Sequence, residues 1–127
     1  GYDFANNDGD PADGHGHGTH CAGVIGATHN RSGVRGVMGR VKILPIKFLG
    51  DNGSGTLEGD VKAIDYAIKM KVHVMSNSWG GGGANQSLKE AIEAANEAGI
   101  SFVAAAGNSS NDNDKNPSYP ASYKVDN

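Results

Sequence analysis

The apolar side chains of this chain follow two spacings, one helical and one typical of buried strands. Within residues 56–70 they recur at intervals of four, three and four, which predicts an amphipathic helix. The residues of this stripe are Leu57, Val61, Ile64 and Ile68. Short runs of mainly apolar residues predict three strands buried on both faces, at 41–49, 72–79 and 100–106. Pro45 has no amide hydrogen, so we place it off the hydrogen-bonded ladder of the first strand.

Two further helices are indicated by their boundaries and by residue size. Ser87, with a glutamate three residues later, has the pattern of a capping box, so we expect a helix to begin there and to end at Gly99. Residues 18–27 contain several small side chains and predict a short helix that packs closely on a neighbour. Residues 1–16 and 50–55 are rich in Asp, Asn and Gly and are predicted to be loops.

The order of these elements is helix, strand, helix, strand, helix, strand, which favours parallel strands with helices on their faces. We therefore predict an α/β fold built on a doubly wound, three-layer, mostly parallel sheet. Right-handed crossovers bring the loops that follow the three strands to one edge of the sheet, where ligands bind in such folds. These loops begin at Leu49, Asn77 and Gly107.

The composition of the chain argues against several classes of function. The 127 residues suffice for one domain with a core, and 14 acidic against 11 basic residues give a formal charge of −3. No basic cluster exceeds a pair, so we expect no nucleic-acid partner. The apolar stretches are too short to span a bilayer. Cys21 is the single cysteine and cannot form an internal disulfide.

Three histidines lie within six positions in the stretch "DGHGHGTHCAGVIGA", residues 13–27. One interpretation is a glycine-rich turn with solvated histidines. Another is a zinc site formed by His15, His17 and His20 with Asp13, although no helical HExxH motif or recognisable distant ligand accompanies them. A third interpretation treats one histidine, at the start of a helix, as a general base. An imidazole titrates near neutral pH and can both accept and return a proton.

The segment "GHGTHCAG" closely resembles the active-site histidine segment of the subtilisin-like serine peptidases, the subtilases. Further segments resemble family segments in the family's order, so that the resemblance covers essentially the whole chain: "KFLGDNGSGT" (47–56), "SNSWGG" (76–81), "VAAAGN" (103–108) and "YPA" (119–121). The resemblance implies a serine endopeptidase with His17 as the general base and Asn108 as the oxyanion-hole donor. It also implies that His20 is a buried neighbour of the base and that Cys21 packs beside it.

The resemblance further implies that an extended polypeptide substrate binds as an added strand between two rims of a groove. The rim residues are Gly53, Ser54 and Gly55 on one side, and Ser78, Trp79 and Gly80 on the other. The primary pocket would be lined by Ala105, Ala106 and Gly107. Leu49 and Trp79 would line a second, apolar pocket, and ordinary core packing is an equal alternative for Leu49. A propeptide in the precursor and a secreted or extracytoplasmic location are also implied.

A structural calcium ion is a further expectation, and no catalytic metal is expected. Asp3, Asp8 and Asp10 supply carboxylate oxygens on one loop, which Ca²⁺ prefers, and the segment partly resembles a calcium loop of thermitase-like subtilases. Asn30 resembles one ligand of the family's other calcium site. The alternative for the acidic loop is a solvated turn.

Two motifs of the family are absent from the sequence: the Asp-Thr/Ser-Gly word of the catalytic aspartate and the Gly-Thr-Ser-Met-Ala word of the nucleophile. We therefore expect residues 1–127 to be the central part of one subtilase catalytic domain, inactive alone and with exposed apolar surface. The alternative is a catalytically dead homologue that binds peptides. A nucleotide-binding module is disfavoured, because no GxGxxG or GxxxxGK[ST] motif follows a strand.

Overall fold

The structure, a computed structural model, describes residues 1–127, which form two compact units, Gly1–Gly59 and Asp60–Asn127. The elements in chain order are β1 (Tyr2–Asp3), α1 (His17–Gly26), β2 (Ile46–Lys47), α2 (Leu57–Lys69), β3 (Val74–Asn77), α3 (Gln86–Glu97) and β4 (Ser101–Ala104). Apart from β1, they follow the predicted alternation of helices and strands. None of the three helices combines the length and apolarity that crossing a bilayer requires.

The first unit contains a parallel strand pair, in which Tyr2 pairs with Ile46 and Asp3 with Lys47. Strand β1 corrects the prediction that residues 1–16 are loop throughout. Its two residues show no apolar run, so the hydrophobic pattern could not reveal it. The amide of Tyr2 donates to the Pro45 carbonyl at 3.3 Å, so proline contributes an acceptor where it has no donor.

Helix α1 begins at His17, and its N-cap residue Gly16 has a φ of 97°, which glycine adopts without strain. Small residues allow the following loop to approach the end of this helix. The amide of Gly36 donates to the Ala27 carbonyl at 2.9 Å, and a Cβ atom on Gly26 would overlap the side chain of Val41. The close packing predicted for this helix is therefore present, although none of its residues is buried.

The second unit is built on the parallel pair β3–β4, with Val74 opposite Ser101 and Asn77 opposite Ala104. Helix α3 packs on β4, and the buried apolar residues of the unit form its core: Ala63, Ile64, Ala67, Met75, Leu88, Ala91, Ile92, Ala95, Ile100 and Phe102. Both strands bury alternate residues only, so the predicted burial of both faces is wrong here. Val74 and Val103 are each 57% exposed on the face that no helix of this unit covers.

Helix α3 begins two residues earlier than the capping-box pattern predicts. Its N-cap is Asn85, whose side-chain oxygen accepts from the amides of Ser87 at 2.9 Å and Leu88 at 3.2 Å. Asn and Ser are comparable N-caps, so a sequence with both two residues apart offers two starts. The predicted end is confirmed, since Gly99 follows the helix with a φ of 73°.

Candidate functional site

His17 is exposed and is the first residue of α1. Its imidazole lies edge-on to that of His15, with ring centroids 6.3 Å apart and an interplanar angle of 83°. One helical turn later, the Sγ atom of Cys21 lies 3.9 Å from Nε2 of His17. The base candidate is therefore accessible, and another imidazole and a thiol lie beside it.

The carboxylate of Asp13 organises the turn that leads into α1. One oxygen accepts from the amides of His15 at 3.0 Å and Gly16 at 2.8 Å. The other accepts from the amide of Thr19 at 2.8 Å and from its hydroxyl at 2.7 Å. The Thr19 hydroxyl and the amides of Gly16 and Thr19 hold the pKa of Asp13 well below its ordinary value. Asp13 thus serves as an external cap for a helix whose own N-cap residue has no side chain.

The zinc interpretation of the histidine cluster does not fit this geometry. No group of three His, Cys, Asp or Glu side chains is arranged to hold a metal ion, and both oxygens of Asp13 are already engaged. The predicted burial of His20 is also wrong, since this residue is exposed on a helix that buries none of its residues. His15 has a local role instead, because its Nδ1 lies 3.4 Å from the amide of His17.

The first predicted rim of the groove is an exposed turn. The amide of Gly50 donates to the Ser54 carbonyl and that of Gly53 donates to the Gly50 carbonyl, both at 2.8 Å. Leu49 forms an isolated antiparallel bridge with Gly55, and a Cβ on Gly55 would lie 2.6 Å from a methyl carbon of Leu49. Leu49 is half-buried against its own turn, so local packing accounts for its position and its pocket role stays a prediction.

The residues predicted to bind calcium do not converge in this structure. Asp3 is 1% exposed and accepts from the amides of Ala5 at 2.7 Å and Asn6 at 2.9 Å, and from the Asn6 side chain at 2.9 Å. Lys47 Nζ lies 3.3 Å from the same carboxylate. Burial acts to raise the pKa of Asp3, but the hydrogen bonds from Asn6, Lys47 and Ala5 outweigh it and lower the pKa. Asp3 is therefore matched by an internal cation and is not an open ligand.

The other residues predicted to bind calcium accept hydrogen bonds from backbone amides in local turns. Oδ1 of Asp8 accepts from the amide of Asp10 at 2.9 Å, and Oδ1 of Asp10 accepts from that of Ala12 at 3.2 Å. Oδ1 of Asn30 accepts from the amide of Ser32 at 2.9 Å. These residues do not form a cation cage in the present arrangement. Calcium stays a prediction from sequence, and no chemistry is derived through it.

In the second unit, two predicted substrate-contacting segments leave the same end of a parallel strand pair. The amide of Ala105 donates to the Asn77 carbonyl at 3.0 Å, directly after the last paired residues of β3 and β4. Residues 78–80 and 105–107 therefore start side by side, as the edge argument from sequence predicts. This is the geometry needed for one wall and one rim of a peptide groove.

Buried Asn77 connects the strand to the rim. Its side-chain nitrogen donates to the Met75 carbonyl at 3.1 Å, and its oxygen accepts from the indole nitrogen of Trp79 at 3.1 Å. The orientation of Trp79 is therefore coupled to the strand that carries it. The sequence marks Asn77 as the start of a loop and as part of the segment 76–81, but its bond to Trp79 has no signature in the hydrophobic pattern.

Asn108 is exposed in the loop after β4 and follows Gly107, whose φ is 98°. Asn113 closes this loop, since its side-chain nitrogen donates to the Ala106 carbonyl at 2.9 Å. Asn111 adds a second closure by donating to the Asn116 carbonyl at 2.6 Å. The candidate oxyanion donor thus lies in a loop that two asparagine side chains help to close, and the sequence shows this loop only as a polar run.

A third segment supports the rim formed by residues 78–80. The carbonyl of Tyr119 accepts from the amide of Gly81 at 3.1 Å, and a Cβ atom on Gly80 would lie 3.0 Å from the same oxygen. The Tyr123 hydroxyl accepts from the Asn85 amide at 2.7 Å and donates to the Asn85 carbonyl at 3.0 Å. The "YPA" region therefore fixes both ends of the glycine-rich turn after the rim.

Comparisons with known proteins agree with the resemblance seen in the sequence. The model of the subtilase family (peptidase S8) matches residues 1–126. Thermitase of Thermoactinomyces vulgaris is 42% identical over 124 residues, covering 97% of this chain and 43% of thermitase. Subtilisin DY of Bacillus licheniformis is 40% identical over 124 residues, covering 97% of this chain and 45% of that protein. A crystal structure of a cold adapted subtilisin-like serine proteinase matches with a TM-score of 0.83 and 38% identity, covering 95% of this chain and 42% of that one.

The chain therefore spans less than half the length of the relatives that it matches. The α/β fold with parallel strands is confirmed by the solved structure. Two other relatives, both from Bacillus subtilis, are named the minor extracellular protease Epr and the major intracellular serine protease. The relatives thus include one protease named as extracellular and one named as intracellular.

Proposed function

The chain belongs to the subtilase family, and from this we propose that it is the central part of the catalytic domain of a serine endopeptidase. The observation that carries the proposal is the exposed imidazole of His17, at the start of α1 and without metal-binding partners. Such an imidazole can accept the proton of a serine nucleophile and later donate it to the leaving amine. Peptide-bond hydrolysis by a Ser-His-Asp mechanism is the reaction that this position supports best.

Asn108 is proposed to stabilise the negative charge that develops on the substrate carbonyl oxygen. Its exposed side-chain amide follows a glycine turn at the end of β4, the edge at which the substrate segments emerge. Loss of one such donor raises the barrier by about 3–4 kcal/mol, because the donor is aimed at the oxyanion before the reaction begins.

Polypeptides are the proposed substrates, bound mainly through main-chain hydrogen bonds as an added strand. Residues 53–55 are exposed, and in the segment 78–80 Ser78 and Gly80 are exposed while Trp79 is half-buried, so each segment offers backbone groups for this pairing. Strand addition recognises backbone more than side chains, so broad specificity is expected. Ala105, Ala106 and Gly107 are exposed beside the second segment and would line the pocket for the residue before the cut. A propeptide and secretion are proposed from the family relationship alone.

The catalytic aspartate and serine are proposed to lie in segments of the protein outside residues 1–127, since neither family word occurs in this sequence. The chain alone should then be inactive. The same observation supports a second candidate, a catalytically dead homologue whose groove only binds peptides. The sequence on either side of these residues in the parent protein distinguishes the two, because only an active enzyme needs the Gly-Thr-Ser word.

The test is peptidase activity of the full-length protein and of two variants. We expect His17→Ala to lower kcat about a million-fold, the order of magnitude known for removing the base of subtilisin. Asn108→Ala should lower kcat by about 10²- to 10³-fold with little change in KM. The matched controls are His73→Ala, at an exposed residue just before β3, and Asn96→Ala, at a half-buried residue near the C-terminal end of α3, and both should retain activity. Full activity of His17→Ala would refute the proposal.

A further inference from the structure

The start of α1 has no cap of its own. The N-cap residue is Gly16, which has no side chain that could accept a hydrogen bond from the first amides of the helix. These amides have no partner within the helix itself. His17 is the first helical residue, so its backbone lies where an uncapped helix frays. A base in this position needs an external constraint if its imidazole is to keep one place.

Asp13 supplies that constraint from outside the helix. Its carboxylate holds the amides of His15 and Gly16 on one side of His17, and both the amide and the hydroxyl of Thr19 on the other side. All four bonds are 3.0 Å or shorter. One side chain therefore fixes the backbone immediately before the proposed base and two residues after it.

We propose that Asp13 is a positioning residue for His17. Its four hydrogen bonds to residues 15, 16 and 19, here called the clamp, keep the imidazole in its reactive place. The inference rests on the proposed function, because it assigns Asp13 a part in the reaction that His17 performs. Asp13 is not the triad aspartate. Its oxygens are bonded to residues 15, 16 and 19, and no hydrogen bond joins them to the imidazole.

The clamp requires an ionised carboxylate with four acceptor positions. The negative charge is favoured next to the positive end of the α1 dipole, and the lowered pKa keeps Asp13 ionised wherever an imidazole base is active. Asn in the same place can accept at one oxygen only. With that oxygen on the amides of His15 and Gly16, its amino group would face the amide of Thr19, which also donates, so the backbone bond after His17 would be lost.

The experiment uses the full-length protein, with kcat expressed per active site titrated by a serine-directed organophosphate. We expect Asp13→Asn to lower kcat by about 10- to 100-fold with KM changed less than twofold, since a misplacement near 1 Å costs about that much. Thr19→Val, which removes the hydroxyl alone, should give a smaller loss, and Thr19→Ser should restore the wild-type kcat. Asp65→Asn, an exposed carboxylate on α2, is the matched control.

If residues 13 and 19 act together, their substitutions should also show coupling. The effects of Asp13→Asn and Thr19→Val on kcat should be less than multiplicative in the double variant, because both changes act on the contact between residues 13 and 19. If Asp13→Asn lowers only the melting temperature or the number of titratable sites, and kcat per site is unchanged, the residue is structural and the proposal fails. If Asp13→Asn does not fold, the test rests on Thr19→Val. An unchanged kcat per active site in that variant would overturn the proposal, and a reduced kcat would support it. Activity of His17→Ala would instead refute the proposed function, so the two failures are distinguishable.

Discussion

The two candidate catalytic positions are held in place by different physical means. His17 lies at the exposed start of a helix with no buried residue, and an ionised carboxylate fixes the backbone around it. Asn108 lies in a loop closed by neutral amides, after a strand that is paired in parallel and packed on a helix. The first region depends on charge and local bonds, and the second depends on a core formed by distant residues. Changes that remove charge and changes that remove core packing should therefore separate them.

The largest expected effect is on the core of the second unit. Ile92 is 2% exposed beneath β4, and Ile92→Ala in the full-length protein should lower the free energy of unfolding by about 2–5 kcal/mol through lost burial and a cavity. Val103→Ala, on the exposed face of the same strand, is the control and should cost well under half as much. Denaturant unfolding measures both. Equal costs would mean that packing on α3 does not anchor the Asn108 loop.

A smaller effect is expected where a side chain supports the rim across a long stretch of chain. Tyr123→Phe removes the hydroxyl that bonds both backbone groups of Asn85, so the free energy of unfolding should fall by about 1–2 kcal/mol. The rim should loosen with it, and KM for a peptide substrate should rise more than kcat falls. Tyr66→Phe, on α2, serves as the control. An unchanged KM would mean that the Tyr123 hydroxyl does not support the rim formed by residues 78–80.

A lesser effect is expected from the amide that closes the Asn108 loop. Asn113→Ala removes the donor to the Ala106 carbonyl, an exposed bond that should contribute about 0.5–1.5 kcal/mol. The loss should appear in kcat, about three- to tenfold, because Asn108 is proposed to act on the transition state. Asn113→Asp is a sharper companion, since it keeps the size and removes the donor. A fall in KM with unchanged kcat would contradict this role.

The smallest effect is a difference in pH dependence. The folded-state pKa of Asp13 lies below the ordinary value of 3.8, so its contribution to stability is complete above that value and declines as the pH falls through the folded pKa. The stability difference between wild type and Asp13→Asn should therefore be constant above about pH 5 and shrink below pH 4. The difference for Asn113→Ala should not change with pH, because no ionisable group forms that bond. Parallel pH titrations of unfolding for both variants test the contrast.

Much of the fold could be predicted because it depends on patterns local to each element. The apolar stripe from Leu57 to Ile68 was sufficient to predict α2, and Gly99 was sufficient to predict where α3 ends. Strand β1 could not be predicted, since two residues in a polar stretch pair only with a strand more than forty positions away. The exposed faces at Val74 and Val103 were missed because a strand's apolar run does not say which faces are covered.

The candidate site divides in the same way. His17, Asn108 and the rim segments could be recognised from short words in the sequence, because each word is contiguous. The bonds that support them join residues whose partners are set by the folded backbone, such as Asn77 to Trp79 and Asn113 to Ala106. Asp13 had a readable signal, an aspartate shortly before a helix whose N-cap is glycine. The sequence places the start of this helix only approximately, so the capping role of Asp13 could not be predicted.

The clamp of Asp13 also has a consequence for the order in which the protein folds. Its furthest partner is six residues away, whereas the Tyr123 hydroxyl reaches Asn85 across 38 residues. Closing the longer loop costs about 1.6 kcal/mol more conformational entropy, and the clamp can form as soon as a short peptide has left the ribosome. The surroundings of the proposed base can thus assemble early in synthesis, and those of the proposed oxyanion donor only after the parallel strands have met.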